Sequence, residues 1–113
     1  MVGRILAGVM VMVLLAGCGA PLRETNLELT VKDGAYLQPN LTVPAGSSVS
    51  IRFQNRDMQA HSLTVELPGG DRTVSAEKLV DAILVFPAQE PGEYRYYCRV
   101  PGHTESGVLT VTP

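Results

Sequence analysis

Cys98 and His103 stand five positions apart in the run Tyr96-Tyr97-Cys98-Arg99-Val100-Pro101-Gly102-His103, and the only other histidine of the chain is His61. One thiolate and two imidazoles are the donor types of mononuclear copper sites tuned for one-electron transfer. A thiolate is soft and holds Cu(I), while neutral imidazoles suit both oxidation states. Pro101 and Gly102 shape the intervening loop so that sulfur and imidazole converge on one ion. Taken singly, Cys98 reads as an inert core cysteine and His61 as a satisfied core histidine. The spacing of Cys98 and His103 is what favours a metal.

The N-terminus bears on the state of that sulfur. Met1 to Gly17 has one basic residue, Arg4, then a short apolar run through Ile5, Leu6, Val9, Val11, Val13, Leu14 and Leu15. It is too short to span a bilayer, which takes about 20 apolar residues, and it reads as a signal peptide. Leu15-Ala16-Gly17-Cys18 resembles the lipobox of bacterial lipoproteins. The resemblance implies that Cys18 becomes a lipidated N-terminus, with residues 18–26 as a short tether reaching roughly 27 Å. Gly19, not an aspartate, then favours the outer membrane facing the periplasm in a two-membrane bacterium, or the outer face of the plasma membrane in a one-membrane bacterium. Two cysteines in an exported chain would ordinarily suggest a disulfide. Lipidation of Cys18 removes the partner, and leaves Cys98 a lone thiol that metal or burial has to explain.

Residues 27–113 are enough for one modest core. Without Arg4 the chain keeps eight basic residues against eleven acidic ones, a charge of about −3, mixed along its length. No basic patch points to nucleic acid, and the domain is expected to be monomeric.

The elements that must position the donors read as strands broken by turns. Leu27, Leu29 and Val31 alternate with polar residues before Asp33-Gly34. Leu41 and Val43 precede Pro44-Ala45-Gly46, and Val49, Ile51 and Phe53 alternate before Asn55-Arg56-Asp57. His61, Leu63, Val65 and Leu67 share one parity, which turns the imidazole toward the core. Ser75 to Asp81 reads as a helical turn or irregular crossover, and Ala82 to Phe86 as a fully buried strand. Tyr94, Tyr96 and Cys98 share a face, and Val108 to Val111 closes the chain. Strands at this spacing predict an all-β antiparallel sandwich or Greek-key barrel.

Together these residues resemble the cupredoxins, small blue-copper β-sandwiches of the plastocyanin and azurin kind, over nearly the whole exported length. The resemblance rests on Lys32-Asp33-Gly34 with Pro39, Leu41 to Gly46, Asn55 to His61, Pro91-Gly92-Glu93-Tyr94 and Cys98 to His103 in this order and spacing. It implies one copper ion held by His61, Cys98 and His103. Ser62 is expected to brace the neighbourhood of the sulfur, and Tyr94 and Tyr96 to pack beneath the site. The fourth position departs from the family, whose weak axial methionine follows the second histidine, often within Gly-Met-x-Gly. Here Thr104-Glu105-Ser106-Gly107-Val108 follows. An unshortened loop puts Val108 on the axis and leaves three ligands. A shortened loop, with Gly107 in the place of the later glycine, puts Glu105 there. Met58 and the carbonyl of Ala60 are further candidates.

Two functions follow from that resemblance. One is a membrane-anchored type 1 copper protein carrying single electrons outside the cytoplasm, docking redox partners through the His103 edge with Leu37, Pro39, Val100 and Pro101. The alternative is a copper-trafficking or storage protein that hands over the ion. An enzyme is the poorest fit: a Cys-His nucleophile needs an orienting group and a cleft, and both histidines are already committed.

Overall fold

The structure, a computed structural model, describes residues 23–113; the expected signal peptide and the expected lipidation site, Cys18, fall outside the described residues. Among the described residues nine strands form two sheets. The first sheet contains β1 (Arg23–Lys32), β2 (Ala35–Tyr36), β4 (Ser47–Asn55) and β7 (Asp81–Ala88), in the order β2-β1-β4-β7. The second contains β3 (Asn40–Pro44), β5 (His61–Leu67), β6 (Gly70–Ala76), β8 (Gly92–Tyr97) and β9 (Ser106–Thr112), in the order β3-β9-β8-β5-β6.

Alternation builds the core. Val49, Ile51 and Phe53 of β4 point inward against Leu84 and Phe86 of β7 and Leu29 and Val31 of β1. Leu63 and Val65 of β5, Tyr96 of β8, and Leu109 and Val111 of β9 face them from the other sheet. Tyr36 closes the top of this core with its ring 5.6 Å from that of Tyr96 and 6.2 Å from that of Phe53.

The sandwich is all-β, as the strand spacing predicts, but it is not purely antiparallel. β1 runs parallel to β4, and β3 parallel to β9. Two segments also differ from expectation. Ser75 and Ala76 belong to β6, which pairs with β5 from His61↔Ala76 to Leu67↔Gly70, and only residues 77–80 form a turn, with Leu79 at a φ of 62°. β7 is not buried throughout. It bonds to β4 alone, and its outward Ile83 and Val85 are exposed while Leu84 and Phe86 are buried. Residues 23–26, expected in the tether, already pair with β4.

Candidate metal centre

Four side chains converge at one end of the sandwich. His61 opens β5, Cys98 follows β8, and His103 and Glu105 lie in the loop that returns to β9. One donor atom from each lies within 4.8 Å of the other three. His61 Nδ1 is 3.2 Å from His103 Nδ1 and 2.5 Å from Glu105 Oε2. His103 Nδ1 is 3.6 Å from both Cys98 Sγ and Glu105 Oε2. The side chains of His61 and Glu105 are each 2% exposed and that of His103 is 16% exposed. One imidazole edge therefore meets solvent.

Local chemistry shapes the loop. The N–H of His103 donates to the carbonyl of Val100 at 3.0 Å across Pro101-Gly102, and Gly102 has a φ of 86°. Proline at the first central position and a positive-φ glycine at the second make this a type II turn. Cys98 N donates to the carbonyl of Glu105, closing the loop at its base. Gly107 then fixes how many residues the loop holds. A Cβ there would lie 2.4 Å from the Tyr96 ring and 2.6 Å from the Pro39 carbonyl, so no larger residue fits this register. With Gly107 pinned against Tyr96, Glu105 is carried into the cluster.

The other candidates for the fourth position lie differently. Val108 turns outward, 36% exposed, and its N–H is occupied by Pro39. Met58 is 67% exposed on the rim, and Ala60 is exposed just before His61. Glu105, by contrast, is buried and its carboxylate lies within the donor cluster.

Ser62 reaches the sulfur twice. Its N–H lies 3.4 Å and its hydroxyl 3.6 Å from Cys98 Sγ, and the same hydroxyl oxygen accepts from Arg99 N at 2.7 Å. Such donors suit a thiolate more than a thiol. Tyr96 is fully buried; its hydroxyl donates to the Gln38 carbonyl, and burial pushes its pKa up to about 12. Tyr94 does not lie beneath the site. It bonds to the Glu90 carbonyl and lines a depression of about 380 Å³ with Leu67, Pro87 and Val111 at the other end. Tyr36 takes the expected role of Tyr94: its buried hydroxyl donates to the carbonyl of Ser62 at 2.7 Å. Burial, reinforced by Cys98 and Glu105, drives its pKa far above the ordinary phenol value.

Asp57 was legible only as a turn residue. Its carboxylate lies 2.8 Å from His61 Nε2 and accepts the backbone N–H groups of Asp33 and Gly34 at 2.5 and 3.0 Å. Burial alone would raise the pKa of Asp57, but these two N–H groups and His61 together hold it below the usual carboxylate value. Asn55, fully buried, fixes the loop: its amide donates to the carbonyls of Gln59, Ala76 and Glu77, and its oxygen accepts from Asp57 N.

The donor set fits copper. A buried thiolate with two imidazoles is the His2Cys set of type 1 mononuclear copper sites, and harder metals would not select the sulfur. Glu105 adds a carboxylate that, among the described residues, has no lysine or arginine partner.

Comparison with known proteins agrees with this architecture. The family described as Cupredoxin-like domain matches residues 5–111. No curated protein matches the chain at a significant level. Among solved structures, dithionite-reduced auracyanin of Roseiflexus castenholzii superposes with a TM-score of 0.72 at 22% identity, covering 80% of this chain and 99% of that one. Auracyanin A of Chloroflexus aurantiacus, described as a "blue" copper protein, gives 0.68 at 24% identity, covering 79% and 99%. Amicyanin of Paracoccus versutus gives 0.57 at 21% identity, covering 85% and 86%. With a family match across nearly its whole length and a two-sheet sandwich of that type, the chain belongs to the cupredoxin-like domain family.

Proposed function

We propose that the protein is an exported, lipid-anchored mononuclear copper protein that carries single electrons, with His61, Cys98 and His103 as ligands and Glu105 as a fourth, anionic donor. The observation that carries this reading is the convergence of Nδ1 of both histidines, Sγ of Cys98 and a Glu105 oxygen within 4.8 Å, buried except for one edge of His103. Copper, when bound there, supplies reversible one-electron chemistry. The residues supply the rest. The Ser62 N–H and hydroxyl face the Cys98 sulfur, and Tyr36 ties the start of β5 to the top of the core. Close packing around buried donors limits rearrangement on electron transfer, and His103 is the contact through which an electron enters or leaves.

Glu105 makes the site differ from one with a thioether axis. Thiolate and carboxylate together place two negative charges in a buried cluster, where charge is poorly screened. They favour Cu(II) over Cu(I), and so a low potential and a weaker blue colour. The buried and braced donors also suit a resident ion better than one handed over to a partner.

The lipid anchor is supported by the lipobox sequence, and the direction of β1 supports an orientation for it. β1 spans ten residues, about 30 Å, from Arg23 to the Asp33-Gly34 turn beside His61. An anchor at Cys18 therefore joins the end remote from His103. The redox edge faces away from the bilayer, toward partners approaching from the aqueous side. Leu37, 55% exposed, and the exposed Pro39 and Pro101 are apolar residues available for docking, with Val100 half-buried.

The test is copper loading. Wild-type protein is expected to bind one Cu(II) with intense thiolate-to-copper absorption, and Cys98→Ser to abolish that band. A Cys98→Ser protein with an unchanged spectrum and affinity would sink the assignment. Glu105→Gln is expected to move the spectrum toward a trigonal blue site and raise the potential. Reversible voltammetry supports the carrier role, whereas rapid loss of Cu(I) to a chelator would favour trafficking.

A further inference from the structure

His61 is flanked on both ring nitrogens: Glu105 Oε2 faces Nδ1 at 2.5 Å and Asp57 Oδ2 faces Nε2 at 2.8 Å. A neutral imidazole carries one proton, and the hydrogen bond made by one nitrogen decides which nitrogen is left to bind metal. Nδ1 is the nitrogen that faces Glu105 and His103 within the donor cluster. We propose that Asp57 is the positioning residue of His61: its carboxylate accepts the Nε2 proton, leaves Nδ1 as the donor, and strengthens that donor by placing a negative charge behind the ring. The inference rests on the reading of His61 as a copper ligand.

Asp57 is itself held, which separates a built device from a chance surface contact. Asp33 and Gly34 have φ angles of 53° and 74°, both left-handed. Successive N–H groups in such a turn converge into an anion-binding concavity, and here both point at the Asp57 carboxylate. The Asp57 N–H donates to Asn55 Oδ1 at 2.8 Å, fixing the backbone from the other side. The two-residue hairpin of β1 and β2, in one sheet, thus grips a loop whose side chain orients a ligand on the other. The Asp57 side chain is 15% exposed and that of His61 is 2% exposed, so water screens the pair weakly. Partners of this kind typically change metal affinity by about 10–100-fold when removed.

The experiment uses the copper-loaded full chain as wild type, Asp57→Asn and Asp57→Ala. Cu(II) and Cu(I) affinities, the reduction potential, and solvent exchange of the His61 Nε2 proton in the diamagnetic Cu(I) form are measured. Asp57→Ala is expected to weaken Cu(II) binding by about 10–100-fold and Cu(I) binding less. Each tenfold difference between the two raises the potential by about 59 mV. The Nε2 proton is slow to exchange in wild type and fast in Asp57→Ala. Asp57→Asn keeps an oxygen acceptor without the charge, so it retains the slow proton and falls between the two in potential. An Asp57→Ala protein with wild-type potential and a slow Nε2 proton overturns the inference, because Asp57 is then only a loop brace. If Asp57→Ala does not fold, Asp57→Asn at the wild-type potential overturns it. A wild-type protein without thiolate-to-copper absorption sinks the copper reading and this inference together, whereas unchanged variants of a copper-binding wild type sink the inference alone.

Discussion

The two sheets divide the work unequally. Every donor in the cluster comes from strands or loops of the five-stranded sheet: His61 from β5, Cys98 from the end of β8, and His103 and Glu105 from the loop into β9. The four-stranded sheet contributes no donor, yet it supplies the Tyr36 hydroxyl on Ser62, the Asn55 amide and the turn that grips Asp57. A loop can bring four ligands together, but loops are mobile when left alone. The donors stay in place because a rigid sheet is bonded to the elements behind them. If this division is right, damage to the four-stranded sheet should divide by depth: apolar damage lowers stability, and polar damage near the top also reaches the site.

The largest expected effect is apolar. Phe53 on β4 is fully buried and packs edge-on to Tyr36. Phe53→Ala is expected to cost about 3–5 kcal/mol, a large part of what a small domain has. Chemical denaturation measures the loss. The protein that remains folded should keep the copper absorption of wild type, since Phe53 is not part of the donor cluster. A spectrum that changes in the folded fraction would break the division between the sheets.

Asn55→Ala is expected to lower stability by roughly 2–3 kcal/mol, because it leaves the buried carbonyl of Ala76 and its neighbours without a donor. Unlike Phe53→Ala it should also loosen Asp57, so that the potential rises while the protein is still folded. Equal shifts for both variants, or no shift for Asn55→Ala, would show that the Asp57 loop does not depend on this amide.

Tyr36→Phe is a finer probe. It removes one buried hydrogen bond to the Ser62 carbonyl, with an expected cost of about 1–2 kcal/mol. The Ser62 N–H and hydroxyl touch Cys98 Sγ, so the thiolate-to-copper band should shift without losing intensity. A band that stays put at reduced stability would confine Tyr36 to packing.

The same contrast explains what the sequence made legible. Strands β1 and β4 alternate clean apolar and polar residues, and Asp33-Gly34 and Pro44-Ala45-Gly46 mark their turns, so local chemistry is enough. β6 was hidden because five of its seven residues are exposed and only Ala76 is buried, which leaves no alternation to see. β7 was misread as fully buried because its outward Ile83 and Val85 are as apolar as its inward Leu84 and Phe86. The parallel pairings of β1 with β4 and of β3 with β9 join distant segments, and no local pattern records them.

At the site, Cys98, His103 and His61 were legible from type and spacing. Glu105 was one of several candidates because the choice depends on loop length, and that is decided by the contact of Gly107 with Tyr96 and Pro39. Asp57 was missed because the groups that aim it, the N–H donors of Asp33 and Gly34, lie more than twenty residues away. Asp57 preceding a candidate ligand by four positions was the only local hint.

The smallest effect is expected at the surface of the four-stranded sheet, where Asp81 of β7 pairs with Arg56 at 2.7 Å and Arg52 at 3.1 Å. The Arg56 hydrogen bond, helped by Arg52, holds the Asp81 carboxyl below its ordinary value. A carboxyl with a folded pKa below its unfolded one stabilises fully above the unfolded value, near pH 4. That contribution fades as pH falls through the folded value. Asp81→Asn should therefore flatten the acid limb of the stability curve and meet wild type at the lowest pH, with the difference shrinking as salt is added. Arg56 adjoins Asp57, so the variant also tests how far the brace extends. An unchanged reduction potential places its edge between these neighbours, at the buried Asn55. A shifted potential would mean that surface charge on β7 is felt at His61, and the grip on the metal site would then include the exposed face of the sheet.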